Sequence, residues 1–166
     1  MATSVTCPGC RLALPAHNLP LPARFLASGE CQQLYHELTF YTLTHGDVSF
    51  IHQTAVDAYA AQHTGAVSKP ITTVFALVGL YLSVEHGYTG RQVQLAHMQL
   101  AQQFKHWPQL APPPVPAHLS VLDVLLADAG PDRDAALAQW AAAIWKSWEQ
   151  QQVYIRQVAA QYLPLP

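Results

Sequence analysis

Three cysteines are the residues best equipped for chemistry in this chain, and two of them stand close together as Cys7-Pro8-Gly9-Cys10. A tight turn of that spacing lets two thiolates face one tetrahedral ion, as in a zinc knuckle. A redox role asks instead for the pair at the start of a helix after a β-strand, and Pro15, Pro20 and Pro22 fit that poorly. A Cys7–Cys10 disulfide is disfavoured too, with a third, odd cysteine and no export signal in view.

Cys31 is the natural third ligand, because it opens the first long helical pattern just after the proline-rich arm. Gly46 marks a turn roughly fifteen residues after Cys31 and seventeen before His63. An antiparallel pair of helices about that turn brings Cys31 and His63 together. The expected metal set is therefore Cys7, Cys10, Cys31 and His63, a closed Cys3His site of the structural kind, with zinc the expected ion and iron the other metal such donors take. His52 and His36 are the other candidates for the fourth place. The plainer alternative makes Cys31 a small buried hydrophobe and His63 a helix-end residue facing the dipole.

His52 lies on the same helical pattern as His63, but eleven residues away, or about 16 Å along the axis, so the two cannot share an ion. The same hairpin logic gathers His45, Asp47, His52, Glu85 and His86 at the opposite end of the bundle. Imidazoles and carboxylates there would form a second, catalytic metal site or an acid–base pair, with His52, Asp57 and His86 its candidate residues. Histidines at helix ends and turns are also common without any such role. Asp57 falls off the stripe of His52 and His63 by more than a quarter turn, where it bonds a neighbouring helix or faces solvent. The chain has no nucleophile elbow, phosphate loop, dinucleotide glycine pattern or His-Glu-x-x-His pair.

The elements that must position these residues are helices. Residues 1–29 form an irregular arm that its prolines keep from continuing as a helix or a central strand. Apolar residues recur at helical spacing over 30–45, 48–63, 70–86 and 89–104, with Gly46, Gly65 and Gly87 at the stops. Ser68 supplies a capping hydroxyl before Pro70. Pro108 and Pro112–Pro116 force an extended spacer, followed by a short apolar segment at Val121–Leu126. A last helix runs from Pro131 to Tyr162, with Leu137, Ala141, Ile144, Trp148, Ile155 and Tyr162 on one face. Trp107, Trp140, Trp145 and Trp148 read as core, or as the lining of a ligand pocket. The expected fold is all-α, an up-and-down bundle of about five helices over 30–166 with the Cys-x-x-Cys arm packed on it, the whole of 1–166 a single domain.

Hydrophobic residues make up 51% of the chain and charged residues 11%, which argues against disorder and leaves apolar faces for a partner or a second copy. The net charge is −2 and the eight lysines and arginines are scattered, so nucleic acid is not an expected partner. The longest apolar run, Ile71–Val84, falls short of the ~20 residues of a membrane span, and Met1–Pro22 lacks the pattern of an export signal. The expectation is a cytoplasmic protein without membrane association.

The pattern Cys7-Pro8-Gly9-Cys10, Cys31 with Leu34-Tyr35 after it, and His52-Gln53-x-x-Val56-Asp57-x-Tyr59-x-x-Gln62-His63 resembles an uncharacterised bacterial domain-of-unknown-function family, number 5946. Trp140, Trp145 and Trp148 fit it as well. The resemblance spans nearly the whole chain and implies one intact domain but no activity, substrate or partner. It also implies that Asp57 orients a metal-bound His63 or His52 as an acceptor. The family carries glycine after the second cysteine, where this chain has Arg11. The leading functional expectation is a small zinc-stabilised helical protein that binds another protein or itself. A metal-dependent hydrolase built on the second histidine cluster and a redox-sensitive zinc switch are the alternatives.

Overall fold

Apolar side chains recurring every three or four residues give seven α-helices among the described residues. The computed structural model describes residues 3–165. The helices are α1 (Gly29–Thr44), α2 (His52–Gln62), α3 (Pro70–His86), α4 (Gly90–Gln103), α5 (Val121–Leu126), α6 (Pro131–Ser147) and α7 (Gln152–Tyr162). Two short strands, β1 (Ser4–Thr6) and β2 (Ala13–Pro15), precede them.

The all-α expectation holds in outline, and the differences have local causes. The arm is not wholly irregular: β1 and β2 pair antiparallel, with Thr6 opposite Ala13 and Ser4 opposite Pro15. A proline at the outer end of a two-stranded ribbon removes no essential ladder bond, so Pro15 is tolerated there. The second helix starts at His52 rather than Val48. Asp47 binds the Ser49 hydroxyl and the Ile51 N–H, Phe50 takes a left-handed φ of 60°, and Gly90 packs against the Phe50 carbonyl. A β-carbon at Gly90 would collide with that carbonyl, so glycine is required.

Val121–Leu126, the short apolar segment, is a helix of its own, capped by Ser120 and Asp123 in a reciprocal box. The long C-terminal pattern is broken at Trp148, where a 3-10 turn over Glu149–Gln151 separates α6 from α7. The Trp145 carbonyl accepts the Trp148 N–H that closes α6 and, at 3.0 Å, a second hydrogen bond donated by Gln152 Nε2. Five expected helices become seven for these two reasons.

The core gathers around α2 and α3. Helix α3 is apolar on all sides and buries Val74, Leu77, Val78, Leu80 and Leu82. Cutting one of those leucines to alanine would cost about 2–5 kcal/mol. Pro70 starts it and Gly87, at φ 66°, ends it in the left-handed conformation. Ser68 is not its cap: the residue before Pro70 holds that place, and the Ser68 hydroxyl instead ties Gly65 N–H to the Arg24 carbonyl of the arm, at 3.1 Å each. Helix α2 packs against α1, α3, α4 and α6, which makes it central to the core. Trp140, Trp145 and Trp148 are buried there, as core residues. Among the described residues no helix is long and apolar enough to cross a membrane.

Candidate metal centre

The six residues between β1 and β2 form the knuckle. Cys7 N–H bonds the Leu12 carbonyl at 2.8 Å and Arg11 N–H bonds the Cys7 carbonyl at 2.9 Å, closing a turn that aims both thiols inward. Arg11 sits at φ 67°, the left-handed region that favours glycine. Glycine would adopt this turn without strain, whereas the arginine adopts it at some cost. Gly9 is required for a different reason. A β-carbon there would run into the Leu26 carbonyl and lie 2.7 Å from Cδ2 of His63, so the bare backbone lets the knuckle press on the histidine ring.

Cys31 belongs to the first turn of α1. Its N–H is held by the capping hydroxyl of Ser28 at 3.1 Å. His63 is the residue that ends α2, and its own carbonyl accepts Leu26 N–H at 2.8 Å, pinning the arm to the helix end. Its Nδ1 lies 2.8 Å from the Tyr59 carbonyl one turn back. A carbonyl only accepts, so Nδ1 carries the proton and Nε2 presents a lone pair. That Nε2 is 3.4 Å from Cys31 Sγ, and Cys31 Sγ is 3.8 Å from Cys10 Sγ.

The one ligand atom offered by each of Cys7, Cys10, Cys31 and His63 lies within 4.8 Å of every other, and all four residues are buried. Bonds of about 2.3 Å to sulfur and about 2.0 Å to nitrogen at tetrahedral angles put neighbouring ligand atoms roughly 3.5–3.8 Å apart, close to the two spacings measured. The donor set fits one tetrahedral metal ion. A histidine oriented through its other nitrogen by a backbone carbonyl is how such ligands are commonly held.

The electrostatics point the same way. Hydrogen bonds from Cys10 and then Cys31, with further help from His63, pull the Cys7 thiol far below its ordinary range against the effect of burial. Cys10 is pushed up to about 11: the Cys31 hydrogen bond opposes the rise, but the Cys7 hydrogen bond, burial and the Cys7 charge outweigh it. Cys31 is pushed far higher, by its hydrogen bonds to Cys10 and Cys7 and by burial. Thiolates this close together in a buried site repel one another, and a divalent cation between them would remove that repulsion.

Tyr59 supports the site at three points that residue spacing did not single out. Its carbonyl orients His63, its hydroxyl donates to Cys31 Sγ at 3.6 Å, and its ring stacks on His63 with centroids 4.0 Å apart. Tyr35 stacks on its other face, also at 4.0 Å, and Phe25 of the arm meets its edge at 5.4 Å. Burial, reinforced by the cysteine charges, keeps the Tyr59 phenol protonated and therefore a donor. The i, i+4 spacing of Tyr59 and His63 was the available signal. Gln62, beside them, joins Trp140 Nε1 at 2.9 Å to the Leu119 carbonyl at 2.8 Å, locking α2 to α6 and to the segment before α5.

The second set does not assemble. His52 Nδ1 lies 2.8 Å from the Thr42 hydroxyl, His45 pairs with Asp134 at 3.1 Å, and His86 Nε2 meets the Tyr81 hydroxyl at 2.8 Å. Asp47 caps the turn into α2, and Glu85 binds Trp145 Nε1 and Arg156. Asp57 touches neither histidine: Gln53 Nε2 donates to it at 2.9 Å, and α3 passes so close that a β-carbon at Gly79 would strike the carboxyl. The orienting role that the resemblance gave Asp57 belongs to the Tyr59 carbonyl at His63. Among the described residues, Cys7, Cys10, Cys31 and His63 are the one group of three or more such side chains close enough to share an ion. His36 is outside that group.

A family model matches residues 5–149, most of the chain. The chain belongs to the Family of unknown function (DUF5946). The DUF5946 match takes in Cys7, Cys10, Cys31 and His63, β1 from its second residue, β2 and α1 to α6, and ends short of α7. No curated protein and no solved structure matches the chain.

Proposed function

We propose that Cys7, Cys10, Cys31 and His63 hold one zinc ion whose task is structural, clamping the arm to the helices so that 1–166 behaves as a single domain, and that the domain serves in the cytoplasm as a protein-binding or self-associating module. The observation that carries the metal reading is the convergence of three buried sulfurs and one tautomer-fixed imidazole nitrogen within 4.8 Å. The set is closed: four protein ligands leave no position for substrate, the mark of a structural site. Four ligand atoms this close enclose one ion and leave no room for a cluster with bridging sulfides. Sulfur-rich tetrahedral sites favour zinc over the harder metals.

The binding part of the reading rests on exposed apolar side chains in a chain of low charge. Phe40, Leu43 and Val48 stand out near the end of α1, and Leu95 and Met98 on α4. A hydrolase would need His45, His52 and His86 to share an ion, and their separate partners, Asp134, Thr42 and Tyr81, favour the binding reading over it.

Elemental analysis tests the metal: about one zinc per chain is expected in the wild type and in His52→Ala, and none in Cys7→Ser, Cys31→Ser or His63→Ala. Sedimentation of the zinc-loaded protein tests the module: self-association that Phe40→Ser weakens supports it. A monomer that copurifies with no protein contradicts it.

A further inference from the structure

Of the four proposed ligands, Cys7, Cys31 and His63 have no exposed surface, whereas Cys10 is 7% exposed. Cys10 sits between Gly9 and Arg11, which with Pro8, Leu26 and Trp148 line a small open cleft of about 130 Å³. The cleft meets the turn at the two residues that flank Cys10, the one member of the four with exposed surface. Across the site, Cys31 Sγ is 3.8 Å from Cys10 Sγ, carried on a different element and held in place by the Ser28 cap and the Tyr59 hydroxyl. Cys7 and Cys10 share one turn, whose Cys7–Leu12 and Arg11–Cys7 backbone bonds set their sulfurs towards a common ion.

We propose that hydrogen peroxide opens the site by joining Cys10 to Cys31, a regulation that rests on the zinc occupancy proposed above. The Cys10 thiolate attacks one peroxide oxygen, the O–O bond breaks, and the departing hydroxide takes a proton to become water. Cys10 is now a sulfenic acid. The Cys31 thiolate attacks its sulfur, the S–O bond breaks, and a second hydroxide leaves as water after protonation. Two thiolates lose two electrons to one peroxide, two protons are taken from solvent, and a disulfide forms. The ion, left with Cys7 and His63, dissociates. The arm passes from a metal clamp to a covalent tether at one point, and a thiol reductant with zinc restores the first state.

The test uses the full, wild-type, zinc-loaded protein, so that no variant needs to fold. Zinc is counted first; the protein is then titrated with hydrogen peroxide while a chromogenic chelator reads released metal. Dimedone traps the first sulfenic acid, and peptide mapping locates it and the final disulfide. The expected results are one equivalent of zinc released, a mass lower by about 2 Da per chain, a Cys10–Cys31 peptide, and dimedone on Cys10. Zinc retained under excess peroxide, dimedone first on Cys7 or Cys31, or a Cys7–Cys10 disulfide would each overturn the proposal while leaving the metal site intact. A protein that neither contains nor binds zinc at the outset overturns the metal reading, and the switch with it.

Discussion

The two ends of α2 each carry a histidine, and only one of them stands in a set of ligands. At the C-terminal end, His63 meets three thiols, its tautomer set by a main-chain carbonyl. At the N-terminal end, where helix order alone would gather His45, Asp47, Glu85 and His86 around His52, every one of those side chains is engaged with a different partner. The end with more titratable groups is the end without a shared site. Convergence comes from thiols with no other strong partner to satisfy them, whereas surface imidazoles and carboxylates find hydroxyls, indoles and each other.

The largest contrast should come from removing side chains at each end of α2. Cys31→Ser and His63→Ala should lose the metal and free the arm, lowering Tm on the order of 10 °C, since about 1 kcal/mol shifts a domain of this size by roughly 2–4 °C. His52→Ala should keep the metal and cost about 1 kcal/mol or less, the worth of one half-buried hydrogen bond. Equal losses from His63→Ala and His52→Ala in a thermal melt would erase the contrast.

Gly9→Ala probes the cysteine end without touching a ligand. The new methyl meets the Leu26 carbonyl and the His63 ring, so urea denaturation should show a loss of about 1–3 kcal/mol and limited proteolysis should cut the arm sooner. Wild-type stability would mean that the knuckle does not press on His63.

Asp57 stands between the two ends, and its chemistry is that of a buried acid. Desolvation, opposed only by the Gln53 hydrogen bond, raises its pKa well above the usual carboxylate value. A group whose folded pKa is raised contributes its full stability below its unfolded pKa, near 3.9, and loses it as pH climbs towards the folded value. Stability should therefore fall with rising pH above about 4 by up to roughly 1.4 kcal/mol per unit. Asp57→Asn, which keeps the acceptor for Gln53, should flatten the profile and stabilise the protein at pH 7. Identical urea midpoints for Asp57→Asn and wild type at pH 5 and pH 8 would show that the acid is not desolvated.

Arg11→Gly is the mildest test. Glycine adopts the left-handed turn without strain but adds freedom to the unfolded chain, so the net gain should stay below about 1 kcal/mol, seen as a small rise in Tm. A clear loss would mean that the arginine side chain itself holds the knuckle.

The gathering of Cys7, Cys10, Cys31 and His63 was legible in the sequence because it depends on few things: a Cys-x-x-Cys turn, a cysteine at the start of one helix and a histidine at the end of the next. The Gly46 turn was enough to bring Cys31 and His63 together, even though the helix after it begins at His52 and not at Val48. What periodicity did not carry was backbone geometry. Phe50 at φ 60° delays α2, and Trp148, apolar and in phase with the face it ends, gives no hint of the break between α6 and α7. The β1–β2 ribbon is too short and too rich in proline to announce itself. The gathering at the far end failed because helical proximity says which residues are near one another and not which partner each prefers. Periodicity over 48–63 does not set Tyr59 apart from its neighbours, although its carbonyl and hydroxyl bond His63 and Cys31.

Cobalt(II) spectroscopy of the metal-exchanged protein tests the Cys3His assignment most directly, because sulfur and nitrogen donors and tetrahedral geometry each leave a mark on the spectrum. The wild type should show intense visible ligand-field bands with thiolate charge-transfer absorption, unchanged in His52→Ala, reduced in Cys31→Ser and altered in His63→Ala. A weak octahedral spectrum in the wild type, or one that His63→Ala leaves untouched, would contradict it.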